Sequence, residues 1–410
     1  MTRVVITGMG ALTPIGNDVA SFEASINEQK VGFEPISYFD AAKTGVTLAG
    51  QLDDFDPLVH LKKKDTKRMD LFTQYAVYAT AEAMAQAGID ETNTDSNRFG
   101  VIWGSGIGGL TTIEQQTIKM HDKGVDRLSP MFIPVSIANM AAGNLSIRYQ
   151  AQAISTTIVT ACASGTNAIG EAYRQIKENR CDVMITGGSE AAINADGIGG
   201  FAALSTLSKE ADPTKASLPF DAHRSGFVMG EGAGSLVLES LEHAQKRGAQ
   251  ILGEVVGYGT SSDAYHITSP DPAGTQAARA MQLAIDEAGI TAAQVGYVNA
   301  HGTATQGNDS AESKAINQVF GTDSSVLVSS TKSMTGHLLG AAGAIEAIAS
   351  VAAMNSGQLP VNVGITEQAP ECPVHLVTTE NRDQQVDYAI SNSFGFGGHN
   401  AVLALKRWVD

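Results

Sequence analysis

Apolar and polar positions along the chain alternate between two periods. Short apolar runs, Arg3–Thr7, Phe99–Trp103, Val183-Met184-Ile185, Gly296-Tyr297-Val298-Asn299 and Tyr388-Ala389-Ile390, are bounded by turn residues and read as strands. Between them lie alanine-rich stretches with apolar residues at helical spacing. A cap at Asn17 opens a helix whose Val19, Phe22 and Ile26 share one face. A longer helix follows Asp70 and stops at Gly88, a left-handed terminator, and another spans Thr275–Ala288. Short strands alternating with helices predict an α/β architecture.

The pattern also repeats. Gln86-Ala87-Gly88-Ile89 closes one helix, and Glu287-Ala288-Gly289-Ile290 closes another; a strand follows each after about ten residues. Asn167-Ala168-Ile169-Gly170-Glu171-Ala172 has an echo in Gly343-Ala344-Ile345-Glu346-Ala347. Each match is short, but their order is shared. A duplicated unit with a break near Gly248–Ala249 is expected, giving halves 1–250 and 251–410, with the site where corresponding loops converge.

Composition narrows the function classes. Of 410 residues, 43% are hydrophobic and 17% charged, and 43 are glycine, which fits a tightly packed chain rather than a disordered one. No apolar stretch of 18 residues and no signal-peptide leader is read, so a cytoplasmic protein without a membrane role is expected. A formal charge of −16 disfavours general nucleic-acid binding. One basic run stands against it: Lys62, Lys63, Lys64, Lys67 and Arg68 place five of the 27 basic residues within seven positions. It is either a solvated helix start or a docking patch for an acidic partner. Cys162, Cys181 and Cys372 are too few and too scattered for a disulfide framework, and no CxxC pair points to zinc.

Chemistry concentrates in four segments. In Ile158-Val159-Thr160-Ala161-Cys162-Ala163-Ser164-Gly165, an apolar strand runs into a cysteine among small residues and a helix starts at once. A helix N-terminus favours a thiolate, so a lowered Cys162 pKa is expected; a buried packing cysteine is the alternative. Cys181 and Cys372 lack this setting and read as structural. His301, in Asn299-Ala300-His301-Gly302-Thr303-Ala304-Thr305, and His337, in Ser333-Met334-Thr335-Gly336-His337, sit on small-residue loops at strand or helix ends. Each is either a functional group or, the commoner case for a lone histidine, one tied into loop hydrogen bonding. Lys332 stands in an apolar stretch and needs a partner; Glu346 on the following helix is the candidate. After the strand at Ile390, Ser391–Asn400 carries Gly395, Gly397 and Gly398, which suit either a tight turn or a backbone aimed at an oxyanion. The loop Gly104-Ser105-Gly106-Ile107-Gly108-Gly109 is a weak nucleotide-site match with no acidic ribose partner at the usual distance.

Together these segments resemble the β-ketoacyl-acyl-carrier-protein synthases, most closely type II, from Arg3 to Lys406. The carrying motifs are Thr160-Ala161-Cys162-Ala163-Ser164-Gly165, Asn299-Ala300-His301-Gly302-Thr303, Lys332-Ser333-Met334-Thr335-Gly336-His337 and Gly395-Phe396-Gly397-Gly398. Ile107, where type I bacterial relatives usually have glycine, favours type II. The resemblance implies a thiolase fold of two pseudo-symmetric αβαβα halves in five layers, usually a homodimer. It implies acyl transfer from an acyl carrier protein's phosphopantetheine to Cys162, then decarboxylative condensation with a malonyl thioester, without a cofactor or metal of its own. His301 and His337 would stabilise the enolate, Lys332 and Glu346 would set the field, and the N–H groups of Cys162 and Phe396 would form the oxyanion hole. Ile107, Phe201, Thr303, Thr305, Phe394 and Phe396 would contact or gate substrate. Lys63, Lys64, Lys67 and Arg68 would dock the carrier protein. His399 departs from the threonine of many relatives and touches only gate-loop detail. Asn299, Glu346 and Asn392 leave a structural cation open.

Rival classes are weighed on the same residues. A non-catalytic chain-length factor or a decarboxylase-only variant lacks the nucleophile that Cys162 supplies. Thiolases use a second cysteine near the C-terminus, but here His399 stands in the glycine loop and Cys372 lies far from it. Type III synthases pair histidine with asparagine rather than a second histidine. A cysteine hydrolase needs one histidine and a water path.

Overall fold

The computed structural model describes residues 2–409. Ten strands form one sheet. They are β1 (Val4–Leu12), β2 (Phe99–Gly104), β3 (Ser155–Ile158), β4 (Val183–Glu190) and β5 (Gly232–Ser240) from the first part of the chain. From the second come β6 (Gly253–Ser262), β7 (Tyr297–Asn299), β8 (Leu327–Ser329), β9 (Tyr388–Gly395) and β10 (His399–Lys406). Their spatial order is β8-β7-β9-β10-β6-β1-β5-β4-β2-β3. Read outward from the central β1–β6 pair, each side runs first, fifth, fourth, second, third strand. On each side the two inner pairings are antiparallel and the two outer ones parallel.

Six helices matter to the site: α1 (Val19–Asn27), α2 (Leu71–Ala87), α3 (Ser164–Lys177), α4 (Thr275–Ala288), α5 (Gln306–Phe320) and α6 (Ala342–Ser356). α2 covers the outer face of β1 and β5, and α4 covers β6 and β10. The approach is close in both halves. A Cβ at Gly8 or Gly10 would lie 2.1 or 1.9 Å from the carbonyl oxygens of Ala83 and Ala79 on α2. At Gly257 and Gly259 the distances to Ala284 and Ala280 on α4 are 2.1 and 1.9 Å. Only glycine lets backbone meet backbone there, and the same device recurs in the duplicate. α3 and α6 pack against each other and against strands of both sides, making the middle of five layers.

Local expectations fare unevenly. Asp70 accepts from Phe72 N–H at the start of α2, and Gly88 ends it at φ 65°, as expected. The Thr275–Ala288 helix keeps its expected limits, and Val19, Phe22 and Ile26 are buried on α1. The cap of α1 is Asp18, not Asn17: Asp18 accepts from Ser21 N–H at 2.7 Å and the Ser21 hydroxyl faces back, a reciprocal capping box. β1 runs five residues past Thr7, because the segment to Leu12 is wholly buried against α2 and β5. The segment Leu339–Ser356 is long and apolar enough to cross a membrane, contrary to the expectation of no such stretch. It is 83% buried inside the protein, and α6 within it is the central core helix.

Candidate active site

The C-terminal ends of the parallel strands converge on one cavity of about 460 Å³. Cys162, Phe201, His301, Thr303, Thr305, His337, Phe394 and Phe396 all line it. Ile107 joins Cys162, Phe201, Ile193, Ile198 and Leu339 in an adjoining apolar cluster.

After β3 the chain makes one tight turn, Ala161–Ala163, before α3 starts at Ser164. Ala161 holds φ 51°, a left-handed conformation that costs a non-glycine residue about 1 kcal/mol. The Ser164 hydroxyl braces it, accepting from Thr160 N–H at 2.9 Å and donating to Ala161 O at 2.6 Å. Asn167 reaches back to the Thr160 hydroxyl at 2.7 Å and is held by Tyr258 at 2.6 Å. Cys162 is thus fixed on an elbow, 8% exposed and facing the cavity. The N–H of Phe396 and its own N–H point at its sulfur.

The electrostatics differ from the sequence expectation. Burial pushes the Cys162 thiol up to about 12; Lys332 pulls it down and Glu190 pushes it further up. The resting side chain is therefore a neutral thiol, because desolvation outweighs the favourable end of α3.

Both histidines are buried. Their rings lie 5.3 Å apart between centroids, at 83°. His337 packs edge-on to Phe227 at 5.1 Å and His301 to Phe394 at 5.8 Å. Desolvation first, and Lys332 second, hold both imidazoles well below their ordinary value, so both are neutral. His337 Nδ1 accepts from Leu339 N–H at 3.3 Å, which places the ring proton on Nε2. That Nε2 is buried and has no protein partner. It is a donor that no protein acceptor occupies.

Lys332, at the start of a short helical turn after β8, pairs with Glu346 on α6, both fully buried. Opening such a pair leaves a bare buried charge, at a cost of about 3–5 kcal/mol. The second oxygen of Glu346 and the side-chain oxygens of Asn299 and Asn392 are buried without a protein donor. No cluster of three or more His, Cys, Asp or Glu able to hold a metal is found among the described residues.

The glycine-rich segment is both things at once. β9 continues to Gly395, so Ser391–Phe394 are strand rather than loop, and Gly397 and Gly398 turn the chain into β10 at φ 87° and 76°. A Cβ at Gly395 would sit 2.6 Å from Thr160 O and 3.2 Å from Cys162 N, so glycine is what lets this hairpin touch the elbow.

Two residues were missed in the sequence. Glu312 on α5 is buried and accepts from the N–H groups of His301 and Gly302, each at 2.8 Å, holding that loop. Glu190, the last residue of β4, accepts from Ser105, Gly106, Ile107 and Gly340. A carboxylate ending an otherwise uncharged strand was the available signal for Glu190. Cys181 and Cys372 are buried outside the cavity lining. The basic side chains Lys62, Lys63, Lys64, Lys67 and Arg68 are exposed around a short helix, Lys63–Thr66, and none forms an ion pair among the described residues.

A neutral cysteine on an elbow, two N–H groups at its sulfur and two neutral imidazoles on a thiolase fold define a carbon–carbon condensing enzyme. The family models agree: residues 1–244 match the beta-ketoacyl synthase N-terminal domain and residues 252–366 its C-terminal domain. The chain belongs to the beta-ketoacyl synthase family. It is 49% identical over 407 residues to a 3-oxoacyl-[acyl-carrier-protein] synthase 2 of Staphylococcus aureus, covering 99% of this chain and 98% of that protein. A protein of the same name from Synechocystis is 46% identical over 408 residues, covering 99% and 98%. Among solved structures, a beta-ketoacyl synthase from Burkholderia phymatum superposes with TM-score 0.92 at 35% identity, covering all of both chains. A type II PKS ketosynthase solved with its acyl-carrier protein gives TM-score 0.91 at 30% identity, covering 99% of this chain and 100% of that one.

Proposed function

We propose that the chain is a 3-oxoacyl-[acyl-carrier-protein] synthase that lengthens fatty acyl chains by two carbons. The observation that carries this reading is the Cys162 elbow, with Phe396 N–H at its sulfur, lining one cavity with His301 and with His337, whose Nε2 is unpartnered. The substrates arrive on phosphopantetheine and no cofactor of the enzyme's own is required.

In the first half-reaction the Cys162 sulfur attacks the acyl thioester carbonyl. The N–H groups of Cys162 and Phe396 take the negative oxygen, and the thiol proton leaves with the pantetheine sulfur. The acyl chain then lies among Ile107, Ile193, Ile198 and Phe201. In the second half-reaction a malonyl thioester loses carbon dioxide, and negative charge appears on its thioester oxygen. Neutral His337, and His301 beside it, donate to that oxygen. A neutral donor suits this task, since it stabilises the enolate without handing over a proton and quenching it. The enolate carbon attacks the Cys162 thioester; the carbon–sulfur bond breaks, and the sulfur takes up from solvent the one proton that the overall condensation consumes.

The exposed cations from Lys63 to Arg68 are assigned to the acidic carrier protein, whose attraction they supply against the chain's net negative charge. Two copies are assigned to a homodimer through β3, which closes one end of the sheet with an unpaired edge. Exposed Ile133, Ile137, Ile147 and Val159 are apolar surface of the kind an interface covers.

Mixing the protein with acyl-carrier protein, without malonyl donor, and weighing it intact tests the reading. An acyl adduct mapping to Cys162 and lost in Cys162→Ala is expected. Carrier protein bound without an adduct would return the chain to a non-catalytic binding subunit.

A further inference from the structure

Glu190 is a buried carboxylate that the condensation chemistry does not use, and no cation pairs with it among the described residues. Its four partners are all donors. Oε1 accepts from the Ser105 hydroxyl at 3.1 Å and Ile107 N–H at 3.2 Å. Oε2 accepts from Gly106 N–H at 2.7 Å and Gly340 N–H at 3.1 Å. Two donors on each oxygen leave no place for a carboxyl proton, so the geometry is that of an ionised group, although burial pushes its pKa up.

The two glycines are matched to it. A Cβ on Gly106 would lie 2.8 Å from Oε2, and one on Gly340 would lie 2.7 Å from the same oxygen. The carboxylate therefore occupies space that any side chain at either position would take. Its partners belong to different parts of the site. Ile107 is in the apolar cluster around Cys162. Gly340 directly follows Leu339, whose N–H fixes the His337 tautomer. Leu339 also belongs to that apolar cluster, and it holds φ 50° without being glycine. Successive N–H groups of residues 339 and 340 thus bind the imidazole and the carboxylate.

We infer that Glu190 is a positioning residue that holds the acyl-pocket loop at Ile107 and the His337 loop in one arrangement, so that both half-reactions depend on this one carboxylate. The inference rests on the condensing-enzyme reading above. It adds that the acyl side and the decarboxylation side are not independent. Glu190 also places a negative charge near Cys162, opposed by Lys332, which is paired with Glu346; the neutral His301 and His337 stand beside them, and Glu312 holds the His301 loop. Its presence favours the resting thiol.

The test compares wild type, Glu190→Gln, Gly106→Ala and the double variant. Glu190→Gln keeps the shape but turns an NH₂ group toward backbone donors. Gly106→Ala keeps the carboxylate but displaces it. Three quantities are read: the rate of acyl adduct formation on Cys162, the rate of carbon dioxide release from malonyl-carrier protein, and the pH dependence of Cys162 alkylation by iodoacetamide. Each single variant is expected to slow both half-reactions about tenfold or more, a loss of the size expected when buried backbone donors go unpaired. The double variant is expected within about threefold of the slower single one, since both act through one group. In Glu190→Gln the alkylation profile is expected to move to lower pH by about half a unit or more, because a nearby negative charge is gone. A purely structural role would lower thermal stability and leave that profile in place.

Loss confined to one half-reaction, multiplicative losses in the double variant, or an unmoved profile would each overturn the inference. If Glu190→Gln does not fold, Ser105→Ala removes a single hydrogen bond and is expected to slow both steps about two- to fivefold. One slowed step with the other intact would refute the assignment. Wild type in the same assays separates the two readings. If wild type forms no adduct, the condensing function itself fails; if only the variants behave as wild type, Glu190 alone is misassigned.

Discussion

Replacing His337 by alanine isolates one donor in one step. Its Nε2 proton is placed by Leu339 N–H on the opposite nitrogen, and Nε2 faces the cavity with no competing protein acceptor. No hydrogen bond must be broken before it serves the enolate. Removing a preorganised donor of this kind costs about 2.7–4 kcal/mol, or 10²–10³ in rate. In the proposed mechanism acyl transfer to Cys162 draws instead on the N–H groups of Cys162 and Phe396, so it should fall by no more than about fivefold, roughly 1 kcal/mol of altered packing against Phe227. His301→Ala should behave alike. With the rings 5.3 Å apart and both assigned to the enolate oxygen in the proposed mechanism, the double variant should lose less than the product of the single losses. The assay is single-turnover: adduct formation followed by mass, and carbon dioxide release followed from labelled malonyl-carrier protein. Equal losses in the two steps would refute the division of labour.

Two other measurements bear on different parts of the molecule. Reversing the charge of Lys64, Lys67 and Arg68 should weaken carrier-protein binding about tenfold or more at low salt, with the difference shrinking as salt rises; unchanged affinity would make the run a solvated helix face. Glu231, buried against Tyr38 and the Leu52 N–H, is raised to about 7 from 4.5. A raised carboxyl contributes stability that is complete below about 4.5 and is lost as pH climbs through about 7. Glu231→Gln should therefore stabilise the protein at pH 8 by up to about 3 kcal/mol and have little effect at pH 4.5; denaturant melts showing the same difference at both pH values would contradict this.

The sequence alone determined whatever depends on neighbours a few residues apart. Asp70 and Gly88 bracket α2, and Thr275–Ala288 is a helix to the residue, because capping groups and left-handed glycines act on adjacent backbone. Cys162, His301, His337 and the Lys332–Glu346 pair were singled out by the resemblance of their motifs, since local sequence fitted a packing cysteine or a loop-bonded histidine as well. The structure brings Cys162, His301 and His337 to one cavity and pairs Lys332 with Glu346. Even locally, Asn17 and Asp18 offered the same kind of cap, and only the reciprocal bond to Ser21 decided between them.

Tertiary structure decided the electrostatics. Cys162 stands where a helix end would stabilise a thiolate, yet it is buried deeply enough for desolvation to prevail, and burial is set by segments hundreds of residues away, such as Gly395 on the elbow. The partners of Glu190 and Glu312 were hidden for the same reason. Glu190 meets Gly106 and Gly340, 84 and 150 positions distant, and no local pattern encodes that meeting. Strand and helix limits follow from short-range backbone preference, whereas the charge state of a buried group follows from everything packed around it, which exists only once the chain has folded.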